Sequence, residues 1–110
     1  MVVSGENIYP TQIEEVIVQH EKVKNCIVTA VPDKVRGQAV VAYVVPEDST
    51  LSIKELNDFC SESKMLSRYK KPRYFAIVDS IPLTATGKKQ HSKIKERAQQ
   101  DLQNGLLERV

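Results

Sequence analysis

Tryptophan is absent from this 110-residue chain, and four tyrosines and two phenylalanines supply all of its aromatic surface. A module that reads nucleic acid by stacking bases on interleaved aromatic side chains needs more than that, and no such sheet motif is present. Cysteine is also scarce. Cys26 and Cys60 lack the close spacing of a metal site, and only His20 and His91 could join them, which argues against zinc and against a disulfide framework. Both cysteines read as small buried hydrophobes. Apolar runs are short: none approaches the roughly 20 residues of a membrane span, and the first residues lack a basic-then-apolar signal pattern. The cytoplasm is the expected compartment. No internal repeat, low-complexity tract or interdomain linker interrupts the chain.

What is present has the composition of an ordinary globular domain, 41% hydrophobic and 27% charged. Residues 1–110 should form one domain, with a modest core and no large cleft of its own. The net charge of +2 conceals an uneven distribution. Ten basic residues and two acids fall between Lys64 and Arg97, a segment of charge +8, while the remainder carries six basic and twelve acidic residues. A basic half attracts anions, polyphosphates as readily as nucleic acid, unless it is simply a solvated face.

Thr11-Gln12-Ile13-Glu14 has the spacing of a capping box. Ile13, Val16, Ile17 and His20 then fall on one helical face, predicting a helix over about 11–21. Residues 25–31 and 38–45 are β-branched and largely apolar, two strands with a loop between them. Ser52-Ile53-Lys54-Glu55 repeats the capping-box pattern, and Ile53, Leu56, Phe59 and Cys60 give a second helix its apolar face. A third strand is predicted over 73–78. A last helix over about 91–103 has Ile94, Ala98 and Leu102 spaced to dock on a sheet and Gly105 placed to end it. The expected architecture is α+β, a small sheet of about three strands flanked by about three helices.

Pro82-Leu83-Thr84-Ala85-Thr86-Gly87-Lys88-Lys89 is a proline-opened turn of small residues. Gly87 allows backbone angles closed to other residues, so Lys88 can leave the turn as a flexible point charge suited to phosphate chemistry. Ser4-Gly5-Glu6-Asn7-Ile8-Tyr9-Pro10 lies near the other end of the chain, and Tyr69-Lys70-Lys71-Pro72-Arg73 between the two. In this order and spacing the three motifs resemble the small C-terminal domain of the adenylate-forming enzymes, the superfamily of acyl-CoA synthetases, peptide-synthetase adenylation domains and luciferases. The resemblance covers roughly residues 2–98.

The resemblance implies that Lys88 enters the active site of a larger N-terminal domain. There it contacts the substrate carboxylate and the ATP-derived phosphate while an acyl-adenylate forms. It implies that Gly5, Glu6 and Asn7 form part of a pantetheine channel once the domain has rotated. Tyr69, Lys70, Lys71 and Arg73 become candidates for contacts with CoA phosphates or with the partner domain, and so, less directly, does His91, which stands where an arginine is common. Lys89 replaces a branched apolar residue and is expected to be solvated. Ser4 replaces the first of two glycines usual in relatives. Gln38 replaces a glutamate in a segment, Asp33 to Gln38, that is expected to be a structural turn rather than a ligand site.

The implied reaction joins a carboxylic acid to CoA with ATP and Mg²⁺, releasing AMP and pyrophosphate, with no cofactor or metal held by this domain itself. The motif SGENIYP is nearer to acyl- and aryl-CoA ligases, whose commonest substrates are fatty or medium-chain acids, than to peptide-synthetase adenylation domains, which remain the alternative. A phosphate- or nucleic-acid-binding module and a purely structural interaction domain are the readings outside that superfamily. The hinge residue and the ATP-gripping loop of the resembled enzymes would lie upstream of Met1, so the chain alone is expected to be inactive.

Overall fold

Residues 27–31 and 39–45 are almost continuously apolar rather than alternating, the pattern of strands covered on both faces. The computed structural model describes every residue except Ser4, Arg68 and Tyr69, with Glu6 described by its backbone alone, and it places these runs at the centre. β3 (Val23–Asp33) and β4 (Gly37–Pro46) pair antiparallel; β5 (Tyr74–Ile77) runs parallel to β4; β6 (Glu108–Arg109) runs antiparallel to β5. The sheet order is β3-β4-β5-β6, which leaves β3 at one edge. The parallel step requires a crossover, which α2 (Ile53–Glu62) supplies. Two further strands, β1 (Val2–Val3) and β2 (Glu6–Asn7), form a separate tight hairpin at the N-terminus.

Successive strand residues point to opposite faces, so β4 feeds two cores at once. Val40, Ala42 and Val44 pack with Ile13, Val16 and Ile17 of α1 (Pro10–Ile17) and with Leu56 and Cys60 of α2. Val41 and Tyr43 pack on the other face with Ile94 and Ala98 of α3 (His91–Gln103). The Tyr43 hydroxyl donates to Asp101 Oδ2 at 2.7 Å, and the Arg97 guanidinium lies 5.1 Å from the ring centre. Burial, aided by the neighbouring carboxylate, pushes the Tyr43 phenol above its ordinary range.

The α+β architecture and three helices are as expected, and α3 has the predicted bounds. Its end is a Schellman turn: Leu106 N–H donates to Asp101 O at 2.9 Å and Gly105 N–H to Leu102 O at 3.3 Å, with Gly105 at φ +70°. Ser52 caps α2 as predicted, its Oγ accepting from Glu55 N–H at 3.1 Å. Thr11 does not cap α1. Pro10 occupies the first helical turn and drives Tyr9 into extended backbone (φ −105°, ψ 120°), so the helix starts one residue early without a side-chain cap. It also ends at Ile17 rather than near Glu21, because tight turns through Gln19, His20 and Val23 steer the chain into β3. The main sheet gains a fourth strand, β6, which holds to β5 by backbone pairing.

Both cysteines are free and buried in the first core, as expected. Burial pushes the Cys26 thiol up to about 12 and the Cys60 thiol up to about 11. In the unfolded chain both ionise near 9.0, so above that pH the unfolded state sheds protons that the folded state keeps. Stability is therefore intact below about pH 8.5 and should fall as pH rises, by up to about 1.4 kcal/mol per pH unit per thiol. Chemical denaturation at pH 8, 9 and 10 should show this decline, and the Cys26→Ala/Cys60→Ala double variant should flatten it. Stoichiometric labelling of either thiol in the folded chain at pH 8 would contradict their burial.

Candidate functional site

The turn carrying Lys88 is closed by its own backbone. Thr84 N–H donates to Lys88 O at 2.8 Å, Gly87 N–H to Thr84 O at 2.9 Å and Gln90 N–H to Pro82 O at 3.0 Å, while Leu83 and Lys89 form an antiparallel bridge. Thr84 Oγ1 accepts from Lys88 N–H at 3.0 Å. Gly87 sits at φ +86°, a conformation that explains the glycine directly. Lys88 is exposed at the end of this turn, and among the described residues no carboxylate pairs with it.

Its neighbours are held differently. Glu14 projects from α1 yet its side chain is only 4% exposed. Its Oε1 accepts from Lys89 Nζ at 3.2 Å, and its Oε2 accepts from His91 Nε2 at 2.7 Å and from Val28 N–H at 2.8 Å. One carboxylate therefore joins α1, the outward-facing edge of β3 and the segment leaving the Lys88 turn. Lys89, expected to be solvated, is instead tied down, its side chain 23% exposed. His91, considered for phosphate contact, has Nε2 engaged by Glu14. A cleft of about 360 Å³ is bordered by Thr11, Glu14, Lys88, Lys89 and His91. A second of about 270 Å³ is bordered by Met1, Pro10, Gln38, His91 and Ser92.

Gly5 forms the tip of the β1–β2 hairpin at φ +83°, and nothing lies within 4 Å of where a Cβ would project. Within this chain the glycine answers a backbone requirement, not a close approach. Gly5 and Asn7 are exposed; the Glu6 side chain and Ser4 lie outside the described residues. Val3 and Ile8 are fully buried and anchor the hairpin. Gln38 contributes to the same anchoring, its Oε1 accepting from Val2 N–H at 2.9 Å. The preceding loop is a turn closed on Asp33: Asp33 Oδ2 accepts from Arg36 N–H at 2.7 Å and Val35 N–H at 3.2 Å, bonds that hold the Asp33 carboxyl below its ordinary range.

Lys71 and Arg73 come together with Arg36 around a cup of about 220 Å³. Lys70 is not among the side chains lining it, and Tyr69 lies outside the described residues. Arg36 is distant in sequence; the bond from Arg73 N–H to Val40 O, 2.8 Å, lays the start of β5 beside the β3–β4 turn and so assembles the cup.

These features define a small α+β domain whose distinctive polar side chains lie on surface turns rather than in an enclosed active site. The chain matches the AMP-binding enzyme C-terminal domain over residues 12–88 and belongs to that family. It is 43% identical over 97 residues to a 2-succinylbenzoate–CoA ligase of Listeria monocytogenes, an alignment covering 88% of this chain and 20% of the ligase. It is 40% identical over 88 residues to a long-chain-fatty-acid–CoA ligase of Yersinia pestis, covering 80% of this chain and 15% of that protein. Among solved structures, the o-succinylbenzoate CoA synthetase of Bacillus subtilis, bound with a product analogue, superimposes with TM-score 0.80 at 34% identity, over 87% of this chain and 19% of that one. A Mycobacterium tuberculosis fatty acyl CoA synthetase gives TM-score 0.80 at 31% identity, over 88% and 19%. The chain thus spans about a fifth of the length of such relatives.

Removing the Glu14 carboxylate would strand the Val28 N–H, the Lys89 ammonium and His91 Nε2. Glu14→Ala should lower the unfolding free energy by about 2–4 kcal/mol in chemical denaturation. Lys54→Ala, which breaks only the exposed Lys54–Asp58 pair, should leave the midpoint where it is.

Proposed function

We propose that residues 1–110 are the mobile C-terminal domain of an AMP-forming acyl-CoA ligase. In the first half-reaction a carboxylic acid and ATP give acyl-AMP and pyrophosphate; in the second, the CoA thiol displaces AMP. Attack of a carboxylate on an α-phosphate brings two anions together and develops charge on the phosphoryl oxygens, so an aimed cation lowers the barrier. Lys88 is that cation. The observation that carries this assignment is the contrast within three residues: Lys89 and His91 are both bound by Glu14, whereas Lys88 is exposed and pairs with no carboxylate among the described residues.

In the second half-reaction the domain presents its N-terminal hairpin instead. The Gly5-Glu6-Asn7 hairpin lines the pantetheine channel, and the Arg36, Lys71 and Arg73 cup supplies three positive charges for the CoA phosphates, with Lys70 beside it in sequence. ATP and the acid bind chiefly to the N-terminal domain of the same enzyme, which also selects the acid. Mg²⁺ is assigned to that domain as well. No helix described here is long and apolar enough to cross a membrane.

In the full-length enzyme carrying this domain, Lys88→Ala should cost on the order of 3 kcal/mol in acyl-AMP formation, roughly a hundredfold or more, and nearly spare thioester formation. Gly5→Asn should show the opposite pattern, because asparagine tolerates the left-handed backbone but adds a side chain to the channel wall. Pyrophosphate release reports the first half-reaction, and synthetic acyl-AMP supplied with CoA reports the second. Equal slowing of both by Lys88→Ala would overturn the assignment.

A further inference from the structure

We propose that Glu14 is a positioning residue for adenylation, acting through the backbone of the Lys88 turn. This rests on the reading of Lys88 as the adenylation lysine. Inside the turn, Lys88 is constrained by the bonds that close it; beyond it, Ile81 and Ile94 pack in the second core, and between Lys88 and α3 the described side-chain hydrogen bonds are those from Lys89 and His91 to Glu14. These two residues are separated by one, and their side chains reach the same carboxylate, so the segment leaving the turn is pinned to α1 at Lys89 and again at His91, the first residue of α3. The carboxylate is itself fixed. It belongs to α1, and Val28 N–H on the sheet edge holds Oε2 at 2.8 Å, so it has little freedom to follow a wandering loop.

The consequence is a division of labour between adjacent residues. Lys89 spends its charge, and both Lys89 and His91 their hydrogen bonds, inside the domain, and together they hold the turn at one angle to α1. Lys88 is thereby presented from a fixed base, with only its own flexible side chain left to find the reacting centre. Pre-organising such a cation shortens the search for a reactive geometry, and a displacement of about 1 Å can cost a hundredfold in rate.

Glu14→Gln tests this, because glutamine can still accept from Val28 N–H while losing the charge that holds Lys89 and the second carboxylate oxygen. Two readouts separate positioning from function. In the 110-residue chain, amide hydrogen exchange at Thr84, Gly87 and Lys88 should quicken at least fivefold in Glu14→Gln, while core amides of Val41, Val44 and Ala98 keep their rates. In the full-length enzyme the same variant should slow acyl-AMP formation about tenfold at saturating acid and ATP and leave thioester formation from supplied acyl-AMP unchanged. Turn amides that exchange as in the parent, or core amides that quicken equally, would overturn the positioning role. Lys88→Ala serves as the control in the enzyme: if it leaves adenylation untouched, the function assigned to Lys88 fails, whereas the exchange rates still decide whether Glu14 holds the turn.

Discussion

A single buried carboxylate organises the end of this domain that carries the Lys88 turn. Glu14 lies on the first turns of a short helix that has no side-chain cap, and it meets an edge strand whose outward N–H groups would otherwise face solvent or another chain. Accepting from Val28 N–H closes part of that edge, and accepting from Lys89 and His91 offsets the cost of burying the charge. The three contacts depend on one another. Without Lys89 the carboxylate would be buried with no cation beside it, and without the carboxylate the segment after Lys88 would lose its hydrogen bonds to α1.

Around this point the fold keeps rigid and adaptable parts apart. β3 and β4 are covered on both faces, and their side chains divide between two cores, so the sheet sets the positions of everything attached to it. The two motifs that resemble functional loops are tight turns at glycines with positive φ, Gly5 and Gly87, mounted beside the start of α1. His91 borders both of the clefts there, one leading to the Lys88 turn and the other to the base of the N-terminal hairpin. The basic cup has a different origin, since it forms where the β3–β4 turn meets the start of β5. One small scaffold thereby carries three separate polar features on its surface.

Much of this was legible in the sequence, and the exceptions have physical reasons. Ile94, Ala98 and Gly105 marked α3 because periodicity and a glycine stop agree with the tertiary packing. Ser52 marked α2 for the same reason. Thr11 misled, since Pro10 outweighs a capping-box pattern by fixing the backbone one residue earlier. Glu108 and Arg109 carry no strand signal; β6 forms by backbone pairing with Tyr74 and Phe75, between Leu107 and Val110, which pack on the two cores. Glu14 was read as part of a cap, although an acid among Ile13, Val16 and Ile17 on a buried helical face needs a partner. Its partners lie 75 and 77 residues away, and no local pattern could name them. The departures at Lys89 and His91 were visible, and the structure gives both the same cause: they answer Glu14. Arg36 joined the cup by the same kind of long-range pairing.

A double-mutant cycle in the 110-residue chain between Glu14→Gln and Lys89→Met measures directly whether this carboxylate and the segment after Lys88 form one unit. Methionine keeps most of the lysine stem and removes the charge. Chemical denaturation of the parent, the two single variants and the double variant should give a coupling free energy of at least about 1 kcal/mol, with Lys89→Met costing little once Glu14 is already neutral. Effects that add within about 0.3 kcal/mol would contradict the claim that Glu14 holds the Lys88 turn in place.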